Sequence, residues 1–276
     1  MNIKEIAIQI VRNDYQAPEH AYDIAQEMLN RQNIGSVDPE LRDDYIYSIL
    51  AKWFLHGVFN PDEMRQMGRL MLDEDHLFYQ IGESDTDSVF TRSFSMLILT
   101  LVLSVHRERP FLSHHEIHSM KEKVFDYLRR EKDLRGYIEE KGWAHATAHA
   151  ADMLDELAQC LELQSADLIA ILNLIQESVQ EERMVFSYEE DERLTTAAIQ
   201  IMERNLLSKE QIIQWVLSFY EQLSANGGIE AYRKKINTKH FVRCMFFRLE
   251  NQDTTGEYAT YMEAMEQVLS NIKMRS

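Results

Sequence analysis

The chain has 276 residues, 46 of them acidic and 29 basic, for a formal net charge of −17. Such a field repels phosphate backbones and argues against general nucleic-acid binding. Nine Gly and four Pro are too few for the turns of an all-β fold, while a 45% hydrophobic share is enough for a packed core, so an all-α chain is the direct expectation.

In chain order, Ile3, Ile6, Ala7 and Ile10 form a first apolar stripe, and Ala21, Ile24, Ala25 and Met28 a second beyond Pro18. Asp38-Pro39-Glu40-Leu41 reads as a helix start, with an acid at the N-cap and Pro in the first turn. That helix carries Tyr45, Ile46, Ile49, Leu50, Trp53 and Phe54 and stops at Gly57. Asn60-Pro61-Asp62-Glu63 opens the next one. Asp85 or Asp87 then caps an almost wholly apolar helix, whose run from Met96 to Val105 reads as a buried segment too short to cross a bilayer.

Ser113-His114-His115-Glu116 is a capping box for a helix through Phe125 and Leu128, and His114, His115 and His118 read as exposed. Ser165-Ala166-Asp167 and Ser208-Lys209-Glu210-Gln211 start two more helices, and Asp191-Glu192-Arg193 opens another with favourable dipole charges. Asn226-Gly227-Gly228 is the clearest loop and would set off a C-terminal helical hairpin over 229–276. These caps recur at about 45 to 50 residues, close to the HEAT and armadillo period. The expected fold is one domain over 1–276 of stacked antiparallel helix pairs, a HEAT/armadillo-like α-solenoid; an irregular α-bundle with ordinary caps is the alternative.

The segment from Gly142 to Asp152 concentrates the reactive groups. It puts His145, His149 and Asp152 at i, i+4 and i+7, with Glu156 one turn further. On a helical wheel this stripe lies opposite Leu154 and Leu157 and should face solvent or a groove. Paired imidazoles at i and i+4 suit zinc, with carboxylates completing the sphere, yet Ala146 stands where the zincin pattern has its acid. The stripe therefore reads as a polar interaction ridge, as a divalent-metal site of His145, His149 and Asp152, or as an acid–base pair. Trp143 staples the helix entry or walls a pocket. Arg92, inside an apolar helix, demands a carboxylate, for which Asp87, Asp152 and Asp155 are the candidates.

Other signals bound the function. Glycine-rich phosphate loops, a nucleophile elbow and a Cys beside a catalytic His are all missing from the sequence. Arg233-Lys234-Lys235, Lys239, Arg243 and Arg248 sit at helix spacing beside aromatics and read as a solvated or salt-bridged face. Cys160 and Cys244 are far apart and outside any CxxC, the usage of a reducing cytosol. Met1-Asn2-Ile3-Lys4-Glu5-Ile6 carries an early acid and does not read as a signal peptide. A cytoplasmic protein without membrane contact is expected.

Asp87-Ser88-Val89-Phe90-Thr91-Arg92-Ser93-Phe94-Ser95 and the Gly142–Asp152 segment together resemble an uncharacterised bacterial domain-of-unknown-function family, found mainly in low-GC Gram-positive organisms. The likeness extends to Asp191-Glu192-Arg193-Leu194 and Lys239-His240-Phe241-Val242-Arg243. The resemblance implies an all-helical protein and supplies no substrate, cofactor or catalytic residue. It singles out Asp87, Arg92, His145, His149 and Asp152.

Two functions of different classes follow. One is a helical-repeat binding module whose groove includes Asp87, Arg92, Trp143, His145, His149, Asp152 and Glu156. It would need no cofactor and would take a protein segment or small polar ligand, with basic partners favoured by the acidic surface. The other is a metal-dependent hydrolase in which His145, His149 and Asp152 hold the ion, Glu156 activates water and Arg92 stabilises developing negative charge. The sequence leaves oligomeric state open.

Overall fold

The structure, a computed structural model, describes residues 2–221, 223 and 227–272. It is mostly helical, and among the described residues it has one two-stranded sheet. Two compact units, Met1–Glu156 and Leu157–Ser276, divide the chain. Of the expected Asn226-Gly227-Gly228 loop, Asn226 lies outside the described residues.

The first unit opens with α1 (Ile3–Arg12), α2 (Ala21–Leu29) and α3 (Arg31–Ile34). Asn2 and Glu5 form a capping box on α1, which buries Ile3, Ala7 and Ile10. Asp38 Oδ1 accepts the Glu40 and Leu41 amides at 3.1 and 3.4 Å, as its cap role requires. The helix that follows begins differently from expectation. Residues Glu40–Tyr47 wind as a π-helix, which passes directly into α4 (Ser48–Leu55). Stretches of i→i+5 bonding are rare and recur at functional sites, and this one carries the fully buried Arg42.

Next come α5 (Pro61–Met71), α6 (Ser88–Glu108) and α7 (His114–Arg130). Ser113/Glu116 form the capping box read from the sequence, and Asn60/Glu63 at the expected helix start form another. Every residue of α6 from Ser88 to Leu99 is buried, and α6 packs on α3, α4 and α5. The run Met96–Val105 lies in the middle of this buried helix, as its sequence reads. The whole of α6 has 21 residues and includes an 18-residue window of mean hydropathy 1.7, long and apolar enough to cross a bilayer by length and composition. That stretch is 89% buried inside the protein, as a core helix is. A hairpin of β1 (Tyr137–Ile138) and β2 (Gly142–Trp143) then leads into α8 (Ala146–Gln159).

The second unit holds the end of α8, then α9 (Ser165–Val179), α10 (Glu190–Glu203), α11 (Lys209–Glu221), α12 (Ile229–Gln252) and α13 (Ala259–Asn271). Here α9 packs on α10, α11 and α12, while α10 packs on α12 and α13 on both α11 and α12. Asn237 of α12 is fully buried and clasps the loop before α10. Its amide donates to the Glu181 and Met184 carbonyls at 3.1 and 2.9 Å, and its Oδ1 accepts the Phe186 amide at 2.9 Å. Burial pushes the Cys244 thiol up to about 12. We therefore expect Cys244 to resist iodoacetamide at pH 8 in the native protein and to react in urea, because the thiolate is the nucleophile. Mass-spectrometric peptide mapping checks this, and fast native labelling of Cys244 would contradict its burial.

Several polar contacts within each unit join residues 41 to 49 apart, beside others at 51 to 56. In the first, Tyr22–Gln66 and Arg31–Asp75 are each 44 residues apart, Arg65–Phe111 46, Arg69–Glu116 47 and Arg107–Glu156 49. In the second, Ser165–Leu206 are 41 apart, Gln176–Ser218 42, Leu172–Trp215 43 and Cys160–Arg204 44.

Candidate functional site

Two conspicuous sequence motifs meet in the first unit, where Val89 and Phe90 of α6 form one buried cluster with Ala144 and Ala146, and Ile138 packs against it. The chain between them is sewn down by charge. Arg92 is fully buried, and its guanidinium grips Glu131 through Nε and Nη2 at 2.6 and 2.8 Å. It also donates to Ser88 Oγ (2.7 Å) and to the carbonyls of Tyr79 (3.0 Å) and Gln80 (3.3 Å). Burial opposes the charge on Arg92, but the bonds and field of Glu131 outweigh it and hold the guanidinium pKa above its ordinary value. The partner is thus none of Asp87, Asp152 or Asp155. Glu131 closes α7 and accepts the amides of Lys132 and Asp133 at 2.9 Å, so it binds its own loop while it binds Arg92.

Asp133 continues the seam. Buried, it takes the Arg135 guanidinium at 2.6 and 2.8 Å and the Asp85 amide at 3.0 Å, and Arg135 reaches the Thr86 carbonyl at 2.7 Å. Asp87 stands at the N-cap position of α6 without a side-chain cap bond; its carboxylate instead holds Lys141 Nζ at 2.7 and 2.9 Å. The loop from 131 to 141 is therefore fastened to the start of α6 at both ends.

Beneath the hairpin lies Arg42, supplied by the π-helix. Nη2 donates to the Lys141 carbonyl at 2.8 Å, Nη1 to Ser36 O at 2.6 Å, and Nε and Nη2 grip Asp43 at 3.2 and 3.1 Å. The guanidinium lies over the rings of Phe90 and Phe94, 4.1 and 4.7 Å from their centroids. Burial lowers the Arg42 pKa and raises that of Asp43. Gly142 permits this approach: at φ +78°, an added Cβ would stand 2.9 Å from Pro39 Cβ and 3.1 Å from Arg42 Nη2.

The histidine stripe departs from the wheel. His145 has φ +48° and stands before the helix, where its carbonyl accepts the His149 amide at 2.9 Å. A residue in that conformation does not obey the 100° step, so its direction cannot be read from helical spacing. The small side chains of Ala144, Ala146, Ala148, Ala150 and Ala151 are all buried, and both imidazoles are buried among them rather than facing solvent. His149 Nδ1 lies 3.2 Å from the Ser93 carbonyl, and its ring meets Phe94 and His145 edge-on at 5.5 and 5.8 Å. Asp152 and Glu156 are half-buried, with Glu156 paired to Arg107. Among the described residues, no group of three or more His, Cys, Asp and Glu is placed to hold a metal ion; His145, His149 and Asp152 do not form one.

At the surface, Trp143 stacks on His145 with centroids 4.2 Å apart and meets Tyr137 edge-on at 5.0 Å, so its ring lies against the helix entry. Both aromatics stay exposed, Tyr137 at 47% and Trp143 at 40%. The turn beside them presents the exposed Glu139 and Glu140. A cavity of about 250 Å³ between α5, α6 and α7 has none of the seven sequence-predicted residues in its lining.

Sequence reasoning missed Arg42, Asp43, Glu131, Asp133 and Tyr137. Arg42 had a signal: it falls at i−4, i−7 and i−8 from Ile46, Ile49 and Leu50, a cation on an apolar stripe. Glu131 lies in an irregular segment and Tyr137 in a two-residue strand, both too short to carry a period.

No curated protein and no solved structure matches this chain. One family does, over residues 77–247, more than half the chain and a span that includes α6, the hairpin and both motifs, without assigning ligand, partner or reaction. The chain belongs to DUF2785, a family of proteins of unknown function.

Proposed function

We propose that the protein is a cytoplasmic binding module built from helical repeats, and that the Tyr137–Trp143 hairpin face recognises a basic segment of another protein. The observation that carries this reading is the exposure of Trp143 while its ring is held between Tyr137 and His145. Aromatics presented in a fixed geometry lose little entropy on binding and serve as interface anchors. The supports beneath are rigid: Arg42 holds the Lys141 carbonyl and Asp87 its ammonium. Glu139, Glu140 and the net charge of −17 favour a Lys or Arg partner, which can also sit over the indole ring.

Two observations support the repeat. Contacts spaced 41 to 49 residues apart match neighbouring repeats of about 40–47 residues. Within the second unit, α9 meets α11, α10 meets α12 and α11 meets α13, the second-neighbour packing of stacked helix pairs. Cys160 and Cys244, neither in a disulfide, fit a cytoplasmic setting. The reading needs no cofactor, and no observation favours the metal-hydrolase alternative.

An array of Lys/Arg peptides beside an Asp/Glu array of equal length tests the hairpin face. Wild-type protein should prefer the basic set, and Trp143→Ala should weaken that binding about ten-fold, the equivalent of about 1.4 kcal/mol. Equal binding by wild type and Trp143→Ala would remove the hairpin from the account.

A further inference from the structure

The longest helix of the second unit presents a second surface of opposite charge. Residues Asn237, Thr238, Phe241, Val242, Cys244, Met245 and Leu249 form the buried side of α12. At 100° per residue, Tyr232, Lys235, Lys239, Arg243, Phe246 and Phe247 fall together on the opposite side, a stripe about 22 Å long that ends at Glu250. Tyr232 is 46% exposed and Phe247 57%, and Arg243 is also exposed. Of the other α12 cations, Lys234 lies 3.5 Å from Glu182 and Arg248 donates to Thr196 Oγ1 at 2.8 Å. On the stripe, Lys235, Lys239 and Arg243 form no ion pair among the described residues.

Three cations framed by exposed aromatics, in a chain with 46 acidic residues, leave a local field opposite to that of the whole. We propose that this face of α12 docks an acidic peptide segment carrying apolar residues at helical spacing. Charge complementarity selects acid, and Tyr232, Phe246 and Phe247 provide the apolar contacts. The length of the stripe separates this partner from other polyanions. A nucleic acid or an anionic bilayer extends well past 22 Å and would meet the chain's excess acid, whereas a short segment meets the stripe alone. Three cations at about 1 kcal/mol each are also weak for a membrane.

Fluorescence anisotropy tests the proposal on the full chain, using a labelled Glu/Leu helical peptide of about 16 residues, long enough to cover the stripe. Its Lys/Leu counterpart, a single-stranded oligonucleotide and phosphatidylserine vesicles are run in parallel. The Glu/Leu peptide is expected to bind in a salt-dependent manner, about ten-fold or more weakly to Lys239→Glu/Arg243→Glu and several-fold more weakly to Phe247→Ala, and equally to Trp143→Ala. Circular dichroism confirms the fold of each variant, and Phe247→Ala decides alone if the charge reversal fails to fold. The proposal is overturned by absence of binding, by binding indifferent to these variants, or by oligonucleotide or vesicles binding more tightly than the peptide.

Discussion

Replacing Arg92 with Leu is expected to destabilise the protein by about 3–5 kcal/mol, the usual result of breaking a buried ion pair from one side. The substitution strands the Glu131 carboxylate, which is almost fully buried and whose amide bonds to Lys132 and Asp133 depend on its charge. Ser88 Oγ and the carbonyls of Tyr79, Gln80 and Glu83 also lose this donor. The double variant Arg92→Leu/Glu131→Leu should recover a large part of the loss, since removing both charges removes the desolvation cost along with the attraction. Urea titration at constant m-value reads both effects. A loss below about 1 kcal/mol in the single variant would mean that Arg92 and Glu131 are solvated and that the seam along 131–136 does not exist.

Gly142→Ala is expected to cost about 2–3 kcal/mol, with Gly256→Ala as its internal control. Both glycines have a positive φ, +78° and +79°, so an alanine meets the penalty of a positive φ at each. Only Gly142 is also crowded, with Pro39 Cβ, Arg42 Nη2 and Asp43 Oδ2 between 2.9 and 3.2 Å from the new atom; Gly256 has nothing within 4 Å. Neither Pro39, at the head of the π-helix, nor Arg42, bonded to Ser36, Asp43 and Lys141, is a flexible chain end that can swing aside. The hairpin should therefore lift, and the Ile138 and Ala144 amides, which face the partner strand, should exchange hydrogen faster. Equal costs at the two sites would mean that the hairpin does not seat on Arg42.

Much of the fold is legible in the sequence because capping is local. Asn60/Glu63 and Ser113/Glu116 satisfy each other within four residues and need no tertiary information. The buried Arg92 was legible as a demand for a carboxylate, but Glu131 answers it from 39 residues away, in a segment without periodicity. The histidine stripe misled for a conformational reason: one residue at φ +48° breaks the helical spacing on which the wheel depends. Along α12 the same wheel works, since its 24 residues are helical throughout and the exposed Tyr232, Arg243 and Phe247 fall away from the buried Phe241 and Met245. The π-helix was out of reach, because a start signal such as Asp38-Pro39 caps either kind of turn.

The most direct test of the hairpin face uses the three tryptophans. Trp53 and Trp215 are buried, with indole N–H groups bonded to the carbonyls of Tyr15 and Leu172 at 2.9 Å, while Trp143 is exposed. Nitrogen-15 labelling of tryptophan alone therefore yields three indole resonances from distinct environments, each assigned by its Trp→Phe variant. Titration with the tightest-binding Lys/Arg peptide should move the Trp143 resonance in step with occupancy and leave the other two in place. Saturating binding that leaves Trp143 still, or that moves Trp53 or Trp215 instead, would contradict the hairpin as the recognition surface.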